Sequence, residues 1–118
     1  MFIWQNKGEY LYAEISGVYS LEMFISAIHE VAEHCKSENL KKVLIDLRNV
    51  DGNPSILDRY LFGIEIANTW GPIIKVAAVG NTEVINQMAE NTAVNRGANL
   101  WATPDMELAL TWLEIENR

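Results

Sequence analysis

Two uninterrupted apolar runs, Val43-Leu44-Ile45 and Val76-Ala77-Ala78-Val79, the second preceded by Ile73-Ile74, constrain this chain more than any other feature. A strand with water on one face alternates apolar and polar residues, whereas a strand that is apolar at every position is covered on both faces. Such strands are usually central and parallel. Parallel neighbours need a crossover of about a dozen residues or more, usually a helix. Helix-like segments at about 55–70, 83–95 and 104–114 alternate with the runs, as that arrangement requires.

The N-terminal part has a different texture. Segments 2–5 and 9–15 predict two strands joined through Asn6-Lys7-Gly8, a hairpin connection that makes them antiparallel. In the second, Leu11, Ala13 and Ile15 alternate with Tyr10, Tyr12 and Glu14, so one face is more buried than the other. Gly17 is expected to end it. Ser20 then caps a helix whose Leu21, Phe24, Ile25, Ile28, Val31, Ala32 and Cys35 recur at offsets of three and four. Thr103 as cap with Pro104 at the first helical position opens the last helix, and Gly97 closes the one before. The order is an α/β layer fold, a mixed sheet flanked by about four helices, in a single domain over residues 1–118.

Composition narrows the function. The 118 residues carry a net charge of −7, and the nine Lys and Arg are scattered apart from Lys41-Lys42. Nucleic acid and anionic membrane surfaces need a clustered basic face, so neither is an expected partner. No stretch approaches the roughly 20 apolar residues of a membrane span, and Met1 leads into Phe2-Ile3-Trp4 without a signal-peptide pattern. A cytoplasmic location is the expectation. The one cysteine, Cys35, lies on an apolar helical stripe and reads as a buried, inert thiol.

The helix at 55–70 has apolar residues nearly all the way round. On a wheel, Ile56, Leu57, Tyr60, Leu61, Ile64 and Ala67 form the arc assigned to the core, with Asp58, Glu65 and Thr69 opposite. Phe62 and Ile66 fall in or beside the polar arc, next to Arg59, with Gly63 and Trp70 at the flank. An apolar pair one turn apart on a face with no core to fill predicts a second contact.

Recognisable chemistry is sparse. His29-Glu30-Val31-Ala32-Glu33-His34 suggests a zinc helix, but histidines five apart diverge by about 140° at about 100° per residue and cannot share an ion. No metal site and no cofactor are expected. Neither a nucleophile elbow nor a phosphate loop is present, and Gly80-Asn81-Thr82 is a lone glycine before a helix. Ligands of open α/β sheets favour the carboxyl ends of the strands, an edge that would gather Asp46, Arg48, Asn53, Ser55, Asn81 and Thr82. Asp46 is the one evident base in that set, and its alternative role is to bond neighbouring amides and hold the turn. Arg96, in the last turn of its helix, either complements the helix dipole or meets an acidic partner, for which Asp58 and Asp46 are the candidates.

The element order, with Ile15-Ser16-Gly17 opening the first crossover and 43–50 forming the central strand and turn, resembles the STAS domain, the fold of the anti-sigma-factor antagonist SpoIIAA. The segments 75–79, 90–97 and 107–113 are similar to a bacterial SpoIIAA-like family of STAS/SEC14 type, whose members share no agreed biochemical activity. In antagonist STAS domains a strand ending in Asp-Leu leads to a phosphorylated serine at the start of the next helix. Counting from Asp46, Ser55 falls at about that position, although Pro54, Ile56 and Leu57 replace the flanking Asp, Ser and Gly. Ser55 also reads as an ordinary N-cap, with Asp58 three residues on.

Two functions follow as expectations. The first is a non-enzymatic regulatory module that docks a protein partner or a second protomer, with Arg59, Phe62, Gly63, Ile66 and Trp70 as its surface. The resemblance agrees, since STAS domains bind partners around this helix. The alternative is a carrier or sensor of a small apolar or lipid-like ligand, suggested by the SEC14 likeness, with Trp4, Tyr60, Trp70, Trp101 and Trp112 lining a cavity.

Overall fold

The computed structural model describes residues 1–81 and 87–117. Its elements run β1 (Phe2–Asn6), β2 (Leu11–Val18), α1 (Leu21–Glu38), β3 (Lys42–Asp51), α2 (Ile56–Trp70), β4 (Lys75–Val79), α3 (Gln87–Asn95), β5 (Asn99–Thr103) and α4 (Met106–Trp112). The strands form one sheet in the order β1-β2-β3-β4-β5. β1 pairs antiparallel with β2, and every later pair is parallel. The covered runs are thus the inner strands β3 and β4.

Topology decides where the helices go. Each crossover from β2 to β5 steps to the next strand in the same direction, so a constant right hand puts α1, α2 and α3 on one face. The main core lies there, with Leu11, Ala13, Ile15, Val43, Ile45 and Val76 of the sheet packed under Phe24, Ile28, Val31, Phe62, Ile66 and Ala93. On the opposite face α4 is the one helix among the described residues, and there Ala109, Leu110 and Leu113 cover Leu44, Ala77 and Val79. Consecutive side chains of a strand point to opposite faces, which is how β3 and β4 come to be apolar throughout.

Local chemistry sets the helix ends. Ser20 Oγ accepts the Met23 amide at 3.1 Å to start α1, and Asn39, at φ 55°, ends it with its amide on the last carbonyls. Ser55 Oγ accepts the Asp58 amide at 3.1 Å, the cap anticipated from the sequence. For α4 the start moves by two residues: Asp105 is the cap, bonding the Leu108 amide at 3.1 Å. Thr103 cannot serve because it is the last residue of β5, paired with Val79, and its hydroxyl accepts the Asp105 amide instead.

The strands β2 and β3 are longer than expected. Gly17 does not end β2; the strand continues to Val18, and the polar stretch Arg48-Asn49-Val50-Asp51 belongs to β3. The register shifts between Glu14 and Ser16, after which Ser16, Gly17 and Val18 pair with Asn49, Val50 and Asp51. Gly17 sits just past this irregularity at φ 102°, a conformation costly for any residue with a Cβ. The β1–β2 connection spans 7–10, closed by the Lys7 amide on the Tyr10 carbonyl at 2.9 Å. The predicted start of the third helix, at 83, and Thr82 lie outside the described residues.

Candidate functional site

The surface predicted on α2 is inverted. Arg59, Phe62, Gly63, Ile66 and Trp70 are buried, Phe62 at 6 % exposure and Ile66 at 7 %. Both apolar arcs exist, but the one turned to the core carries the aromatic anchors. Phe62 meets Phe24 at a ring separation of 5.3 Å, and the Trp70 indole donates to the Ile28 carbonyl at 2.9 Å, tying α2 to α1. A buried indole needs such an acceptor, and α1 supplies it. Arg59 is also inside, its Nε donating to the Pro54 carbonyl at 3.2 Å, with burial lowering its pKa.

The outer face of α2 therefore consists of the residues first assigned to the core. Ile56 is 71 % exposed and Leu57 63 %, with Tyr60 and Leu61 at about 40 %. Ile64 is half-buried and Ala67 buried at the boundary. Arg96, from the turn after α3, reaches over this face: its Nη2 donates to the Tyr60 hydroxyl at 3.1 Å and its guanidinium lies over the ring. Neither acid anticipated for Arg96 meets it, because Asp58 accepts from the Tyr19 hydroxyl and Asp46 is held by Arg48.

Of the strand-edge residues, Asp46 and Arg48 come together directly. Asp46 is 2 % exposed on the α4 side of the sheet, where its carboxylate accepts from the Tyr12 hydroxyl at 2.9 Å. Arg48 reaches the same carboxylate with Nε at 3.0 Å, Nη2 at 2.8 Å and its backbone amide at 3.1 Å. Desolvation is the largest influence on Asp46 and raises its pKa, but the bonds from Arg48 and Tyr12 together outweigh it, leaving the group below its ordinary value. A carboxylate held so firmly in its charged form is a poor proton acceptor at neutral pH. Asp46 does bond a neighbouring amide, that of Arg48, but inside β3 and not at a turn, so its role is to hold the strand and not to catalyse.

Tyr12 and Glu14 complete this cluster, and neither had been singled out. The Tyr12 oxygen is also 3.1 Å from Glu14 Oε1, with one phenolic proton between two carboxylates. Burial, then the bond to Asp46, raises the Tyr12 pKa. The alternation in β2 had placed Tyr12 and Glu14 on one face, and parallel pairing with β3 sets Glu14 opposite Asp46. Asn53, Ser55 and Asn81 are exposed around the loops.

The histidines are engaged separately. His29 Nε2 lies 2.7 Å from Glu65 Oε1 on α2, while His34 stacks on Trp4 at 4.1 Å. The two side chains thus make separate contacts, one to α2 and one to β1. No group of three or more potential metal-ligating His, Cys, Asp or Glu side chains occurs among the described residues. Burial pushes the Cys35 thiol up to about 11, so it remains protonated.

A cavity of about 80 Å³ lies inside the main core, bounded by Phe24, Ile28, Phe62, Ile66 and Trp70, with Arg59 and Glu90 as its polar walls. Among the five aromatic residues anticipated as cavity lining, Trp70 alone contributes. Pockets for drug-sized ligands are about 300–1,000 Å³, so this space suits a much smaller molecule.

No protein-family model and no curated protein matches the chain. Its structure is similar to the crystal structure of an anti-sigma factor antagonist from Mycobacterium paratuberculosis, with a TM-score of 0.64 and 14 % sequence identity. The match covers 97 % of this chain and 93 % of the other. The fold is STAS-like. No helix among the described residues is long and apolar enough to cross a membrane.

Proposed function

We propose that this chain is a non-enzymatic, cytoplasmic regulatory module that docks a protein partner through the outer face of α2 and the loop before it. The observation that carries this reading is the exposed arc Ile56, Leu57, Tyr60 and Leu61 on a helix whose opposite arc already fills the core. Water disfavours such an arrangement unless a partner covers it. The likeness to an anti-sigma factor antagonist supports a protein as that partner. Arg96 gives the face a basic rim beside Tyr60.

Ser55 has a capping role in this reading, since its oxygen already accepts the Asp58 amide. A phosphate-sized mass increment on Ser55, in protein purified from its own cells, would instead make the loop a phosphorylation switch. The test of the docking face is a paired capture. Wild-type protein is compared as bait with a Leu57→Glu, Leu61→Glu variant of unchanged circular dichroism and thermal midpoint. A protein held by the first and released by the second supports the surface; equal retention by both overturns it.

The apolar cavity favours a second, narrower reading, a sensor of a small apolar molecule. Benzene or xenon that raises the thermal midpoint in proportion to its concentration would support it.

A further inference from the structure

The two edges of the sheet are finished differently. At β5, the Thr103 carbonyl accepts from Gly80 on the β4 side, so the alternation of a parallel strand turns Ala102 outward. Its amide is taken by the Glu90 carboxyl. One outward group of that edge is thereby covered by its own chain. At β1, Met1 and Ser16 exchange both backbone bonds, at 2.9 and 2.7 Å, and the Lys7 amide meets the Tyr10 carbonyl. Bonded and non-bonded pairs alternate in an antiparallel ladder. Between those fixed points, Ile3 and Gln5 bond to β2, while Phe2, Trp4 and Asn6 turn their N–H and C=O groups to the open side.

No hydrogen bond among the described residues reaches those outward groups. Exposed edges are usually protected by lysine, proline, a bulge or an inward charge, and Phe2-Ile3-Trp4-Gln5-Asn6 has none of these. Ile3 is 48 % exposed and Trp4 39 %, on opposite faces of the sheet.

We propose that β1 is a dimerisation edge, pairing antiparallel with β1 of a second copy across a two-fold axis at Trp4 and joining two sheets into one. Symmetry selects the register. An axis normal to the sheet keeps every side chain on its own face, so paired residue numbers must sum to an even number. Centring on Trp4 pairs it with the partner's Trp4 and pairs Phe2 with the partner's Asn6, which uses every outward N–H and C=O at once. Ile3 then lies beside the partner's Gln5. Each copy carries −7, which opposes self-association, and β1 is where that opposition is weakest because the strand has no charged side chain and the contact itself adds no like-charge pair.

The test is sedimentation of the full chain, with any tag kept off the N-terminus. The expected mass is twice that of the chain. Trp4→Pro removes an outward amide without touching the ladder to β2 and should weaken the dimer by roughly tenfold or more, since both sides of a two-fold contact change together. Ile3→Lys, which keeps the Trp4–His34 stack, should do the same if Trp4→Pro fails to fold. Trp4→Cys should cross-link two chains on oxidation, and the Leu57→Glu, Leu61→Glu variant should remain a dimer. A monomer at all concentrations overturns the proposal. So does a dimer that survives Ile3→Lys and gives no Trp4→Cys cross-link; if the α2 variant disrupts that dimer, the contact lies on α2.

Discussion

The two arcs of α2 are close in composition and opposite in use. Phe62, Ile66 and Trp70 are buried with α1 and the sheet, while Leu57, Tyr60 and Leu61 face outward. What separates them is shape and one polar atom rather than hydrophobicity. The buried arc offers a ring to Phe24 and an indole N–H to the Ile28 carbonyl, and the outer arc offers neither. Burial follows complementarity with what is already there, so an apolar arc without a matching surface in its own chain is left outside.

The largest effect should come from testing that asymmetry at its centre. Phe62→Ala is expected to cost about 3–5 kcal/mol. It enlarges a cavity that Phe62 already borders, so the surroundings cannot easily collapse onto the gap. The measurement is the urea midpoint at constant slope. A loss no greater than that of Leu57→Ala would mean that the buried and exposed arcs have been assigned the wrong way round.

Asp46 gives the next effect and involves the other side of the sheet. Its folded pKa lies below the ordinary 3.8, so its contribution is fully present above that value and is lost as pH falls through the lower folded one. Wild type should therefore lose more stability than Asp46→Asn between about pH 5 and pH 2. At neutral pH the substitution should cost about 1.5–3 kcal/mol, the usual range for a hydrogen bond to a charged group. Identical acid profiles for the two proteins would remove Asp46 from the fold's pH dependence.

Much of the architecture was legible because it is written locally. The runs 43–45 and 76–79 identify inner strands by their composition, and Ser20 and Ser55 cap the helices they precede. The failures lie where a distant segment decides. Arg48 and Asn49 look like turn residues, yet they extend β3 because Ser16 to Val18 continue alongside. Tyr12 joined the Asp46 cluster through strand pairing across 34 positions of sequence. The choice between the arcs of α2 belongs to this class, because a wheel ranks residues by polarity and has no information on where Ile28 presents an acceptor.

Trp70→Phe isolates that acceptor. The ring stays apolar but is smaller and borders the cavity, so the loss should be about 1–2 kcal/mol, one net hydrogen bond plus the added void. Ala78→Val has the opposite sign: it adds methyl groups on β4 toward the cavity and should stabilise by about 0.5–2 kcal/mol. A destabilising Ala78→Val would mean that the cavity walls are too rigid to accept the branch.

The smallest effect is the most informative about use. Ile56→Ser with Leu57→Ser should change stability by no more than about 0.5 kcal/mol, since both side chains are largely in water already. The same pair of changes should remove most of the apolar area available to a partner, so a protein unchanged in urea yet weakened in capture would separate the two arcs by role as well as by burial. A clear loss of stability would show instead that the outer arc packs against its own chain, and the docking face would then have to be sought away from α2.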